Sequence, residues 1–124
     1  DSNLASAKIL LENERLEESV ALTYYSMYNM AAALFLKVGI KCENHSGTII
    51  LLKELFGLDN SKIDFAKKER VDKQYYADFY VSKEDVDEMI EIAEDFNGKI
   101  LDFVSKLNNK KISNYRIKFK EILE

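Results

Sequence analysis

The sequence predicts an all-α fold, an up-and-down bundle of about five helices, from three observations. The stretch from Leu16 to Val38 is uncharged between Ser19 and Leu36, and Val20, Tyr24, Met27, Ala31, Leu34 and Val38 recur along it at alternating spacings of four and three. That repeat marks one continuous face of a helix. The chain has no proline and only four glycines in 124 residues, so little interrupts helices. No segment alternates apolar and polar residues as a half-buried strand does. Leu22, Tyr25, Ala32 and Phe35 form a second apolar stripe on the same stretch. A helix apolar on more than one side is expected to lie buried between layers, Ala32 included. Three tyrosines, Asn29, Ser19, Thr23 and Ser26 argue against a membrane span, because each polar group would need an internal partner in lipid.

Each element follows in order. Ser2 to about Asn13 reads as a first helix with Leu4, Ala7 and Leu11 on one side. Asn13, Glu14 and Arg15 are a short polar connection, so the long helix folds back antiparallel. Gly39 stands where a left-handed C-cap belongs. The loop from Gly39 to Gly47 leads to a third helix, capped by Ser46 or Thr48 and ending near Phe56. A fourth helix runs from about Ser61 to about Tyr80. Ser82, with Asp85 three residues on, opens a fifth through a capping-box variant. Along that helix Val86, Met89, Ala93, Phe96, Ile100, Phe103 and Leu107 keep heptad spacing, and Asn108-Asn109 ends it. Residues 1–107 are thus read as the helical bundle and 108–124 as a basic C-terminal helix or tail.

Composition narrows the function classes. Hydrophobic content of 47% and charged content of 32% belong to a soluble globular domain. A single cysteine, Cys42, and a single histidine, His45, leave no disulfide framework and no material for a histidine–cysteine metal cluster, so neither metal nor cofactor is expected. The lone thiol suits a reducing cytoplasm. A net charge of −4 opposes indiscriminate binding to nucleic acid. Charge is nevertheless uneven: seven acids and one lysine lie between Ser82 and Asp95, and six bases with no acid between Lys106 and Lys120. Solvated helix faces account for both runs in the simplest reading.

Two places carry candidate chemistry. His45, Ser46 and Gly47 stand at the start of a predicted helix, where free N–H groups and the helix dipole favour anions, with Lys41 upstream. Arg70 falls on the same stripe of the fourth helix as Ile63, Ala66 and Ala77, so its guanidinium leans inward and needs a partner. That partner is either an acid of the fifth helix or a phosphate in a cleft. Tyr75 and Tyr76 follow on the same helix, and Asp78 adds a carboxylate too isolated for paired acid–base work.

Ala21, the run Tyr24-Tyr25-Ser26-Met27-Tyr28, Ala32-Ala33-Leu34 and Gly39, then His45-Ser46-Gly47, Arg70 with Tyr75, and Ala93 with Phe96, resemble the HEPN family from about Leu4 to Leu107. The resemblance implies a small helical bundle, usually a homodimer, often encoded beside a minimal nucleotidyltransferase. Many members resemble toxins that cut RNA without metal, using an arginine and a histidine four to six residues apart across a dimer cleft. Here Arg70 matches the arginine, but Tyr75 or Tyr76 stands where the histidine would be, and His45 precedes Arg70 in another loop. Tyrosine, with an ordinary pKa near 10, is a poor general base at neutral pH. The resemblance therefore implies a toxin–antitoxin component or nucleotide-binding subunit that works with a nucleotidyltransferase. A metal-independent RNase and a non-catalytic helical interaction module are the alternatives. The ligand-binding residues expected are Arg70, Tyr75, Tyr76, Lys41, His45 and Ser46, with Arg70 and Tyr75 as catalytic candidates and a nucleotide or RNA as ligand.

Overall fold

The computed structural model describes residues 2–75 and 81–124, with side chains for 3–71 and 81–124. Six helices and no strand make up these residues: α1 (Ser2–Glu12), α2 (Leu16–Val38), α3 (His45–Glu54), α4 (Ser61–Tyr75), α5 (Lys83–Ser105) and α6 (Asn109–Leu123). None is long and apolar enough to cross a membrane.

α2 is the spine, with α1, α4 and α5 all packed along it. The whole first stripe is buried: Tyr24, Met27, Ala31 and Leu34 have no exposed surface, and Val20 and Val38 almost none. Each fully buried large apolar side chain of this kind is worth about 1.5–3 kcal/mol. The second stripe behaves differently. Phe35 is buried, but Leu22, Tyr25 and Ala32 are only partly so, and Leu36 beside them is 81% exposed. α2 is thus covered on one broad side rather than between layers, because α3 packs against it far less than α1, α4 and α5 do.

Buried polar groups on α2 pin neighbouring helices in register. Ser19 Oγ donates to the Ala7 carbonyl at 2.7 Å, tying α2 to α1. Asn97 of α5 donates to Ser26 Oγ at 2.9 Å. Thr23 turns its hydroxyl back to the Ser19 carbonyl. Satisfied in this way, the hydroxyls avoid the roughly 1–3 kcal/mol penalty of a buried orphan.

The caps refine the expected boundaries. Gly39 adopts φ 81°, and its N–H closes α2 onto the Phe35 and Leu36 carbonyls. The capping box of Ser82 and Asp85 opens α5 in both directions. α3 begins at His45 and is capped by Asn44, not by Ser46 or Thr48, since Asn44 Oδ1 accepts the Gly47 N–H at 3.0 Å. Asn108 does not end α5 but caps α6, accepting from the Lys111 N–H. α6 therefore begins at Asn109, directly after its cap. It lays Ile112, Tyr115 and Phe119 against the core. Tyr115 meets Phe56, and Phe103 meets both.

Candidate functional site

Three elements converge beside the first half of α2. Tyr24 and Tyr28 are four residues apart and share one face, and Tyr25 stands about 100° round from Tyr24. The α3 start brings His45 alongside these rings. The Ile63–Ala66–Arg70 stripe of α4 faces them from another direction, and its first two members are fully buried.

The imidazole of His45 stacks on the Tyr28 ring, 3.7 Å between centroids and 13° between planes. Its Nδ1 lies 2.8 Å from the Tyr24 hydroxyl. Burial pushes the Tyr24 phenol up to about 12, and the nearby Arg70 charge offsets only part of that. The phenol is therefore neutral at ordinary pH, and its buried proton needs an acceptor. Nδ1 provides one, which leaves the imidazole proton on Nε2. Burial, the Arg70 guanidinium and the Lys67 ammonium all hold His45 below its ordinary pKa of 6.5, so it is a neutral imidazole at physiological pH.

Arg70 leans inward, as its stripe implies, but among the described residues its partners are tyrosines and not an acid of α5. The guanidinium carbon lies 5.3 Å from the centroids of both Tyr24 and Tyr25. Nη1 donates to the Tyr25 hydroxyl at 3.1 Å. Two cation–π contacts of this kind contribute about 0.5–1 kcal/mol each when exposed and more when dry. They do not neutralise the charge, and the buried Nε has no hydrogen-bond partner among the described residues. One turn earlier on α4, Lys67 Nζ donates to Ser46 Oγ at 2.6 Å. Among the described residues no carboxylate pairs with either cation. The cluster thus presents two positive charges, a neutral imidazole and several hydroxyls, a set suited to an anion with oxygen acceptors.

The site residues expected from sequence fall into three groups. His45, Ser46 and Arg70 are brought into one cluster. Lys41 is exposed and pairs with Glu43 at 3.3 Å, outside that cluster. The side chain of Tyr75, together with Tyr76 and Asp78, lies outside the described residues. The expected helix N-terminal anion corner is partly filled from within, because Asn44 takes the Gly47 N–H with its side chain and the Thr48 N–H with its carbonyl. Four members of the cluster escaped the sequence reading: Tyr24, Tyr25, Tyr28 and Lys67. The signal for the tyrosines was three phenols on an uncharged helix, each with a hydroxyl to satisfy. For Lys67 it was a position three residues before Arg70, on the same helical side.

The family comparison agrees with this architecture. The HEPN domain model matches residues 1–107, and the chain belongs to that family. The matched residues end before α6 begins. A UPF0332 protein of Pyrococcus horikoshii is 45% identical over 58 residues, 47% of this chain and 38% of that protein. A Methanocaldococcus jannaschii protein whose name makes it a candidate toxin is 38% identical over 58 residues, 47% of this chain and 40% of its own length. A UPF0332 protein of Thermotoga maritima is 38% identical over 53 residues, 43% and 40% of the two chains. The matches thus span about two fifths of the length of these curated relatives.

Proposed function

We propose that this chain is a toxin–antitoxin component of the HEPN type that binds a nucleotide or RNA phosphate at the Arg70–His45–Lys67 cluster and acts with a nucleotidyltransferase partner in the cytoplasm. The observation that carries the reading is the state of Arg70. Its guanidinium is held against two tyrosine rings and, among the described residues, has neither a neutralising carboxylate nor a hydrogen-bond partner for its buried Nε–H. A phosphate oxygen would satisfy it, with Lys67 and the Nε2 proton of His45 as further donors. The family match and the candidate-toxin relative support the toxin side of the reading. Titration of mononucleotides and short RNA against wild type and Arg70→Ala tests the site. Saturable binding by the wild type, weakened at least tenfold in the variant, is expected; no binding by the wild type would overturn the proposal.

One observation favours the RNase alternative as a second reading. No histidine follows Arg70 on its helix, but His45, held neutral by burial, Arg70 and Lys67, shares the Tyr24 and Tyr25 rings with that arginine. In such a reaction a ribose 2′-oxygen bonds to phosphorus as the P–O bond to the 5′-oxygen breaks, leaving a cyclic phosphate and a 5′-hydroxyl. With its proton on Nε2, His45 suits the acid's part: it can give that proton to the leaving 5′-oxygen while water takes the 2′-hydroxyl proton and Arg70 carries charge developing on the phosphate. Purified protein incubated with RNA and chelator decides it: cyclic-phosphate ends lost in His45→Ala support cleavage, and intact RNA refutes it.

A homodimer belongs to the same proposal. Leu36 is 81% and Ile50 57% exposed, and a groove of about 570 Å³ lined by Ala32, Phe35, Ile40 and Cys42 lies beside Leu36. An apolar area of this kind is commonly covered by a second subunit. Light scattering showing only a 14.4 kDa monomer at all concentrations would refute it.

A further inference from the structure

We propose that the end of the molecule formed by α6 and the last turn of α5 is a second, separate surface that takes single-stranded nucleic acid, with the backbone on lysines and a base on an aromatic floor. It lies apart from the tyrosine cluster and uses residues beyond the family match, which stops at 107.

Charge is the first support. Many lysines elsewhere are tied to carboxylates, among them Lys8 to Glu94, Lys68 to Asp64 and Lys99 to Asp95. On α6, Lys110, Lys118 and Lys120 are exposed and make no ion pair among the described residues, and Lys111 reaches only the Lys106 carbonyl. Lys111 and Lys118 are seven residues apart, two helical turns on one side, and Lys110 borders the same stripe. A basic stripe left unneutralised on an acidic protein is the electrostatic footprint of a polyanion site.

Shape is the second support. Beside that stripe a groove of about 380 Å³ opens between α5 and α6, with Phe103, Leu107 and Tyr115 as its floor and Lys106, Lys111 and Asn114 at its rim. The Phe103 and Tyr115 rings lie 6.0 Å apart and are both partly exposed. Of the two rim lysines, Lys106 is tied to Asp102 at 2.9 Å and Lys111 is left for a phosphate; a partly exposed ring surface next to such a lysine is how proteins hold unpaired bases without reading sequence. The acidic run of α5 in a second copy would match the charge, yet it has nothing to fill the groove. Among the described residues, no large apolar side chain between Lys83 and Asp95 is exposed.

The test is titration of labelled single-stranded RNA and DNA oligonucleotides against the full chain and against a Lys110→Ala, Lys111→Ala, Lys118→Ala triple variant, over a range of salt. These side chains are exposed, so the variant should melt with the wild type. Expected are an affinity about tenfold or more weaker and a log–log salt dependence shallower by about 2, at ~0.7 for each phosphate no longer neutralised. An oligonucleotide of abasic sites should bind the wild type more weakly than one of equal charge with bases. The triple variant should still bind mononucleotide, which separates this surface from the site around Arg70. No oligonucleotide binding by the wild type would overturn the inference. An unchanged salt slope in the variant, equal binding of the abasic strand, or self-association that disappears with the lysines would do so too.

Discussion

Two aromatic clusters hang on α2, and they do different things with the same kind of side chain. Near its C-terminal end Phe35 packs edge-on to Phe56, which meets Phe103 and Tyr115, so rings contact rings and close the seam between α2, α5 and α6. About seven residues earlier, Tyr24, Tyr25 and Tyr28 surround an imidazole and a guanidinium. The first cluster stabilises by burying Phe35 and Phe56 and leaves the Phe103 and Tyr115 rings partly exposed. The second uses its rings to hold charge in a partly dry place, where the Arg70 Nε–H has no hydrogen-bond partner among the described residues. An arrangement that leaves polar capacity unused is a weaker stabiliser than the apolar one, and a better receptor.

Ala31 lies between the two clusters on the fully buried stripe. Ala31→Asp would put an unpaired carboxylate between them and should disrupt both, with a loss above about 4 kcal/mol or failure to fold. Ala32→Asp, which the sequence pattern alone would rank as equally severe, should be much milder, because Ala32 is partly exposed. Circular dichroism melts of the two variants make the contrast directly. Equal losses would mean that α2 is buried on both sides after all.

Phe56→Ala breaks the apolar cluster alone. Phe56 is 6% exposed and touches three rings, so the expected loss is about 3–5 kcal/mol in a denaturant melt, with ligand binding intact in whatever fraction stays folded. Arg70→Ala breaks the charged cluster. It forfeits two cation–π contacts and one hydrogen bond, together about 1–3 kcal/mol, and should abolish phosphate binding. Arg70→Lys keeps the charge but has no planar fork to set against two rings, so it should recover little of either. A Phe56→Ala loss smaller than that of Arg70→Ala would invert the comparison.

How far the sequence shows this depends on the kind of interaction. α2 was legible to the residue, since a charge-free helical repeat ending at Gly39 admits few other structures, and the α5 capping box was equally plain. The inward lean of Arg70 was legible from its stripe. Its partner was not, because an arginine flanked by apolar residues is equally compatible with an acid, a phosphate or a ring. The two asparagine caps were missed for a related reason: Asn44 and Asn108 look like loop residues until the backbone N–H that each accepts is placed in space. Lys41 is near His45 in sequence, yet it borders the groove beside Ala32 and Leu36 rather than the tyrosine cluster.

The finest test of the comparison is pH, since the tyrosine cluster holds an imidazole and a phenol whose proton affinity folding changes. His45 is held below its ordinary 6.5 by burial and by Arg70 and Lys67, so the unfolded chain takes up a proton there more readily than the folded one. The contribution of neutral His45 to stability is therefore present above about pH 6.5 and shrinks as pH falls below it. Tyr24 has the opposite sign: its phenol is raised from 10 to about 12, so its contribution is present below pH 10 and is lost as pH rises through 12. Carboxylates and lysines titrate in the same ranges, so the measurement must be a difference. Melting temperatures of wild type and His45→Gln, compared from pH 8 down to pH 5, isolate the histidine, because glutamine still accepts from Tyr24 but cannot be protonated. The gap should narrow toward pH 5 as the wild type loses its advantage, and Tyr24→Phe should show the mirror effect at high pH. A gap that widens as the solution is acidified would mean that folding stabilises the imidazolium, and the neutral imidazole next to Arg70 would have to be abandoned.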